Sequence, residues 1–370
     1  MKIHLVEPDF PFAAKSKNHA SSFPVGLLKI GAYHLAKGDK VILRRGRRKA
    51  PFAPDEIKIT SLFTYWADHV HVTARYYHNL YPKARVEIGG IYATLMPEHC
   101  RKALPFAKVY RGPYRRGAAE QYLPAFKLLP RKTELQVLHA SRGCKRKCKY
   151  CAVWKIEPED WYAASLNGQI RRRKLIFYDN NLLMNPHIES ILKELAEYSD
   201  SKQRHVWCEC QSGLDRRIVN EKPQLAELLR KAHFHNPRLA WDGKYEDWRQ
   251  VKKAIGILRR AGYPALEIYV FMLYNYEVPY VEMKRKLNAC RRWGVRVADC
   301  RFRPLNRTSD GYRSYRKMQE RSEYYIHPNW TDRQVRGFRR AVRRQNIAIL
   351  LGLPNGRYIR GCEQRKVAVC

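Results

Sequence analysis

The stretch that decides the fold is residues 135–151, LQVLHASRGCKRKCKYC, in which an apolar segment runs into a glycine-led loop with three cysteines. Its first six residues have the apolar run of a buried strand. Five further strands follow, with helical patterns between most of them. The predicted strands are 135–140, 174–178, 205–210, 238–241, 266–273 and 295–300, and the predicted helices are 187–198, 223–232, 248–261 and 281–293. Six successive β-then-α steps predict a partial (β/α)6 barrel of the TIM type.

Strands and helices also alternate over the first 125 residues. The predicted strands are 2–7, 40–43, 57–63 and 85–89, and the predicted helices are 26–36 and 67–77. This alternation is typical of a parallel, doubly wound sheet. Gly89 and Gly90 follow its last strand, at the edge where such sheets bind ligands. A purely structural turn is the alternative interpretation of this glycine pair.

The domain organisation follows from prolines and charges. Pro113, Pro124 and Pro130 stand among charged residues, so 113–133 is interpreted as a linker. We therefore expect a first α/β domain over 1–125, the barrel over 134–305 and a basic C-terminal extension over 306–370. The extension contains a helix that begins with a capping box at 331–334. Its arginines form either a solvated face packed over the barrel or a phosphate-binding surface.

The composition favours a folded protein with anionic partners. Hydrophobic residues make up 45% of the chain, and 72 Lys and Arg against 34 Asp and Glu give a net charge of +38. Such an excess favours nucleic acid, phosphorylated substrates or an anionic membrane surface, with a dispersed charge as the alternative. No apolar run reaches the roughly 18 residues of a spanning helix. The N-terminus has the pattern of a strand, so we expect a cytoplasmic protein without a membrane span.

The cysteine loop has the composition of an iron–sulfur site. Cys144, Cys148 and Cys151 are spaced by four and three residues, and ten cysteines in a reducing compartment favour metal binding over disulfides. Three thiolates leave one iron of a 4Fe–4S cluster without a protein ligand. That iron can chelate an amine and a carboxylate. A zinc site, which usually has four ligands, and a structural cysteine cluster are the alternatives.

The CxxxCxxC motif with its neighbouring aromatics, Tyr150 and Trp154, resembles the radical S-adenosylmethionine (SAM) superfamily. The resemblance implies that Cys144, Cys148 and Cys151 bind a 4Fe–4S cluster whose open iron binds SAM. One electron, from a donor of the flavodoxin or ferredoxin type, then cleaves SAM to methionine and a 5′-deoxyadenosyl radical that abstracts a hydrogen atom. Tyr150 corresponds to the aromatic residue that lies near the adenine in this superfamily.

Other SAM contacts depart from the family pattern. Where the family has a Gly-Gly-Glu-like segment, this chain has YDNNL at 178–182, so Asp179 and Asn180 are candidates for the methionine amine. Glu209 and Gln211 share one face of the third barrel strand. That face points either toward SAM and substrate or outward. Arg238, on the fourth strand, is a further candidate, with salt-bridge packing as the alternative.

The N-terminal region is similar to the cobalamin-binding class of this superfamily, through FPVGLL at 23–28 and IGGIYATLMPE at 88–98. The resemblance implies a Rossmann-like domain over 1–125, with Gly89 and Gly90 at its cofactor edge, that sets cobalamin (vitamin B12) above the cluster. The Asp-x-His-x-x-Gly motif of a lower-face imidazole is absent. A domain of the same fold that only positions substrate is the alternative.

The sequence thus predicts a radical SAM enzyme that activates a C–H bond, with cobalamin-dependent methyl transfer as one outcome. Two other functions remain as alternatives. The first is radical SAM modification of tRNA or another nucleic acid, which the charge of +38 favours. The second is a non-enzymatic metal- and nucleic-acid-binding protein.

Overall fold

The computed structural model describes residues 1–12, 23–130 and 133–353 of the chain, without the side chains of 115–117. The fold is mixed α/β with parallel sheets. The chain divides into two compact units whose segments alternate along the sequence. The first unit comprises 1–137, 142–161 and 303–311, and the second comprises 138–141, 162–302 and 312–370.

The first unit is built on a five-stranded parallel sheet. Its elements are β1 (Lys2–Glu7), α1 (Val25–Ala36), β2 (Lys40–Arg45), β3 (Glu56–Ser61), α2 (Ala67–Leu80), β4 (Arg85–Gly90), α3 (Ile91–Leu95), α4 (Pro97–Ala103) and β5 (Lys108–Val109). The strand order is β2-β1-β3-β4-β5. The order reverses between β1 and β3, which opens a crevice at the carboxyl ends of the strands.

Both faces of this sheet are buried. On β1, Leu5 packs in a cluster with Leu27 and Leu28 of α1, whereas Val6 belongs to a cluster with Val70 of α2. Burial on both faces explains why the strands are nearly continuous apolar runs. The region predicted as a linker forms 3-10 turns at Tyr114–Gln121 and Phe126–Leu128.

The rest of the chain alternates strands and helices. Its elements are β6 (Leu135–Leu138), β7 (Ser141–Arg142), α5 (Val153–Ile156), β8 (Trp161–Tyr162), β9 (Lys174–Phe177), α6 (Ile188–Glu197), β10 (Trp207–Cys210), α7 (Arg216–Glu221), α8 (Gln224–Lys231), β11 (Arg238–Ala240), α9 (Trp248–Arg260), β12 (Tyr269–Tyr274), α10 (Tyr280–Trp293), β13 (Arg296–Arg301) and α11 (Asp332–Leu350). Apart from the short β7–β8 pair, these strands form two sheets, β10-β9-β6 and β11-β12-β13.

The strands of the two larger sheets adjoin one another in chain order. A parallel bridge between Leu214, just after β10, and Leu239 of β11 continues this order from one sheet to the next. Leu214 N donates to Arg238 O at 2.5 Å, and Ala240 N donates to Leu214 O at 3.3 Å. Six strands therefore succeed one another as neighbours without a reversal of order.

The C-terminal helix α11 begins as predicted. Thr331 Oγ1 accepts a hydrogen bond from Gln334 N at 3.3 Å, and Gln334 Oε1 accepts one from Thr331 N at 2.9 Å, so the capping box is confirmed. Val335, Phe338 and Val342 are buried on one side of this helix. None of the described helices is both long and apolar enough to cross a membrane.

Candidate functional site

The three motif cysteines lie in one loop, from β7 to β8. Cys144, Cys148 and Cys151 are each half-buried. Cys151 N donates to Cys148 O at 3.0 Å, and Trp154 Nε1 donates to the same oxygen at 3.1 Å. Among the described residues, no three Cys, His, Asp or Glu side chains are grouped as they would be around a bound metal ion.

In the first unit, the two ends of the cysteine loop are tied by Glu157. Its carboxylate pairs with the Arg142 guanidinium and accepts a hydrogen bond from Gly143 N at 3.0 Å. Gly143 has φ +79°, and a Cβ there would lie 2.6 Å from Asp160 Oδ1 and 2.8 Å from Glu159 O. Only glycine therefore fits before the first motif cysteine.

In the second unit, buried polar groups fix the strand that leads into the loop. Asp179, which is 1% exposed, accepts hydrogen bonds at Oδ1 from Ser141 N and from Ser141 Oγ, the latter at 2.8 Å. Asn185 Nδ2 donates to Ala140 O at 2.7 Å and to Ala163 O at 2.9 Å, which joins the segments on either side of the loop. Asp179 therefore positions Ser141, three residues before Cys144.

A cavity of about 200 Å³ lies in the first unit, where Gly89 and Gly90 line it at the end of β4. Gly90 has φ +100°, and a Cβ there would lie 2.2 Å from Ser61 O. The close approach of β4 to β3 therefore requires glycine at this position. The cysteine loop contributes Arg142, Ile156 and Glu157 to the same cavity. The predicted glycine edge and the cysteine loop are thus brought together within one unit.

This cavity is lined by ion pairs whose charged side chains were not predicted from the sequence. Lys29 pairs with Glu120 at 2.6 Å, and Lys58 pairs with Glu87 at 2.5 Å. Burial alone would lower the pKa of Lys58, but hydrogen bonds to Glu56, Glu87 and Tyr114 outweigh it and raise the pKa. Lys58 in β3 and Glu87 in β4 each stand between apolar neighbours of a buried strand. That pattern could have predicted a buried ion pair. Such charges are rarely buried without a partner.

The second unit brings together Glu209, Gln211 and Arg238. Arg238 pairs with Glu209 and donates through Nη1 to Cys210 O at 2.5 Å, while Gln211 Nε2 donates to Glu209 Oε1 at 3.2 Å. The glutamate and glutamine therefore share a face, as their spacing predicted. The arginine extends this polar cluster to the neighbouring strand β11.

This polar cluster lies on the face of the strands opposite the helices. Tyr269 and Arg296 stand in register with Arg238, and all three side chains are half-buried, with both guanidinium groups over the Tyr269 ring. The residues that alternate with these along the strands, such as Leu239 and Val270, are buried and pack against the helices. Cys208 and Cys210 are buried as well, and desolvation raises the pKa of both thiols, which makes them inert. The polar side chains thus share the face of the strands that does not pack against the helices.

Tyr150 and Asn180 are the other two residues that were predicted to contact SAM. Tyr150 is half-buried, next to Cys151 in the loop, and Asn180 is half-buried, next to Asp179. Their contact with SAM stays a prediction, as does that of Asp179.

Comparison with known proteins adds no family to these observations. No protein-family model matches the chain, and no curated protein matches it either.

Proposed function

We propose that this chain is a radical SAM enzyme whose 4Fe–4S cluster is held by Cys144, Cys148 and Cys151. The observation that carries the proposal is the loop of three half-buried cysteines that follows the first of six strands adjoining in chain order. Thiolates are the ligands of iron–sulfur clusters, so the donor set fits. When bound, the cluster would reduce SAM and cleave it to methionine and a 5′-deoxyadenosyl radical for C–H activation.

The strand orders support the two-part fold of such an enzyme. The order β2-β1-β3-β4-β5 is that of a doubly wound, Rossmann-like or flavodoxin-like sheet. Six strands that adjoin in chain order are the arrangement of a partial TIM-type barrel, in which the helices lie outside. The face of Glu209, Gln211 and Arg238 would then be the barrel interior.

The chain's own residues would bind and orient the small molecules. Glu209, Gln211 and Arg238 offer both donors and acceptors on one face, which suits the amine, carboxylate or ribose of SAM or a polar part of the substrate. Tyr150 supplies an aromatic surface for the adenine. A cytoplasmic location belongs to the same proposal, because a reducing compartment keeps cysteines available as metal ligands. An electron donor of the flavodoxin or ferredoxin type belongs to it as well, because the cleavage of SAM consumes one electron.

Cobalamin is not part of the proposal. The cavity beside Gly89 and Gly90 measures about 200 Å³, less than the roughly 300–1,000 Å³ of pockets for drug-sized ligands, and a corrin is larger still. Lys29, Lys58 and Arg142 already hold carboxylates there. The residues of this cavity do not fit a corrin, so we assign no methyl-transfer step to it.

The proposal is tested by the metal content of two cysteine variants. After anaerobic reconstitution with iron and sulfide, the wild type should bind about four irons per chain and give the electron paramagnetic resonance signal of a reduced 4Fe–4S cluster. Cys148→Ala should lose both. Cys290→Ala, which removes a buried thiol of α10, is the matched control and should keep both. Unchanged iron in Cys148→Ala, or one tightly bound zinc in the wild type, would refute the ligand assignment.

A further inference from the structure

The outer helices of the second unit carry a dense set of exposed basic side chains, which we call the basic face. Its members are Arg249, Lys252, Lys253, Arg259 and Arg260 of α9; Lys284, Arg285 and Arg292 of α10; and Arg333, Arg339, Arg340, Arg343 and Arg344 of α11. Helix α10 packs against both α9 and α11, so the exposed sides of the three helices form one surface. This surface belongs to a single compact unit.

The basic face is not neutralised by its own helices. Their only acidic residues are Glu282 and Asp332, and both are engaged toward the body of the unit. Glu282 accepts from Tyr245 N at 3.1 Å, and Asp332 pairs with the buried Arg336 at 2.8 Å. Arg339 interacts with the carboxyl of Asp299. The other closely spaced cations have no ion pair among the described residues and repel one another, which a bound polyanion would relieve.

The surface around these charges is unsuited to a membrane. A helix that lies in a bilayer interface inserts an apolar face. Here the apolar sides of the three helices are buried within the unit, as Val251, Leu287 and Phe338 show. On these three helices, the large exposed apolar residues are Val281 and Leu350, which lie at helix ends rather than among the charges.

The shape and chemistry of the basic face limit the kinds of nucleic acid that it can bind. Single strands are usually held by exposed aromatic platforms, whereas the described aromatic residues of α9, α10 and α11 are buried or half-buried. Three helices side by side, about 8–10 Å apart, are broader than the roughly 12 Å major groove of B-form DNA. The A-form helix of RNA offers a wide, shallow minor groove bordered by phosphates and 2′-hydroxyls.

We infer that the basic face is a docking surface for double-helical RNA, held through its phosphates by the guanidinium groups of α11 and the basic residues of α9 and α10. Guanidinium suits this role because its planar fork matches phosphate oxygens. The inference goes beyond the proposed SAM chemistry and does not rest on it, because the surface needs no cluster.

The test is the salt dependence of binding to a fluorescent 20-base-pair RNA duplex, measured by anisotropy with the full chain. Arg340→Gln/Arg343→Gln/Arg344→Gln should weaken binding by roughly tenfold or more near 0.1 M salt. It should also lower the slope of log Kd against log salt by roughly 2–3, since each phosphate contact contributes slightly less than one. The matched control is Arg47→Gln/Lys49→Gln/Lys83→Gln, which removes the same charge from exposed residues of the first unit. It should bind within about twofold of the wild type.

Three results would overturn the inference. Equal losses in the two triple variants would mean that net charge alone drives binding. Equal or tighter binding of a DNA duplex or a single strand of the same length would contradict the choice of double-helical RNA. Binding to phosphatidylserine vesicles in place of RNA would identify a membrane surface. Cys148→Ala should bind RNA like the wild type, so a failure of the cluster proposal remains distinguishable from a failure of this one.

Discussion

Asp179 follows β9 and carries a charge into a fully buried position. Burial of a carboxylate is costly unless hydrogen bonds replace its water. Ser141 supplies two of them, from its amide and its hydroxyl. The pair lies where the chain turns from the second unit toward the cysteine loop. We therefore regard Asp179 as a positioning residue whose effect on the thiols passes through the backbone of Ser141.

Replacement of Asp179 should affect both stability and cluster loading. Asp179→Ala leaves the buried Ser141 amide without its acceptor, which should cost about 1–3 kcal/mol of unfolding free energy. The iron bound after reconstitution should fall as well. Asp200→Ala is the control, because Asp200 accepts backbone hydrogen bonds in an exposed turn of the same unit. Full iron content in Asp179→Ala would contradict the positioning role.

The two glycines at the end of β4 should respond differently to substitution. Gly90→Ala forces a Cβ to 2.2 Å from Ser61 O at a positive φ, and we expect it to lose more than about 2 kcal/mol of stability. Gly89→Ala is the matched control, because its Cβ would meet only Tyr110 Cβ at 3.7 Å, and it should lose less than about 1 kcal/mol. Urea unfolding measures both. Equal losses would show that the close approach of β4 to β3 is not what requires Gly90.

At the scale of elements, local patterns predicted most strands and helices to within a few residues. The predicted helix 67–77 extends to Leu80, and the predicted strand 57–63 ends at Ser61, where pairing with Gly90 stops. Such ends depend on partners distant in sequence. The 3-10 turns within 113–130 were missed for a similar reason, because Glu120 is tied to Lys29, 91 residues away.

The candidate site was predictable only in part. The cysteine loop and the shared face of Glu209 and Gln211 follow from spacing alone. The partner of Arg238 does not, since Glu209 lies 29 residues before it. The charged lining of the first-unit cavity escaped prediction because each pair joins elements that only the fold brings together.

The ion pairs of Glu120 connect α1, the turn at 114–121 and the cysteine loop, and they predict a pH dependence. Burial alone would raise the pKa of Glu120, but the charges of Lys29 and Arg142 outweigh it and hold the pKa below its usual value. In acid the unfolded chain therefore takes up a proton before the folded chain does. The stability from this group should be lost as the pH falls from about 5 to 3.

Glu120→Gln should flatten this pH dependence. The urea midpoint of the variant should change less between about pH 6 and pH 3.5 than that of the wild type. Glu98→Gln, at an exposed glutamate of the same unit, should retain the wild-type profile. If the stability of Glu120→Gln depended on pH as that of the wild type does, the ion pairs of Glu120 would not be the source of the pH dependence.

At the scale of the molecule, contacts rather than chain order define the units. The cysteine loop, 142–161, belongs with the N-terminal sheet, although it follows a strand of the other series in sequence. Within the first unit, Glu157 holds Arg142 and Gly143 at the start of this loop. The helices α9 to α11 carry 16 Lys and Arg against two acidic residues, so they contribute +14 of the net charge of +38.

The most direct test of the central claim is the formation of 5′-deoxyadenosine. The full chain would be reconstituted anaerobically with iron and sulfide and given SAM and a strong reductant, beside a variant with Cys144, Cys148 and Cys151 all changed to Ala. We predict 5′-deoxyadenosine and methionine from the wild type and only background from the variant. Equal product from both proteins, or none from a wild type with an intact four-iron cluster, would contradict the assignment of radical SAM chemistry to these cysteines.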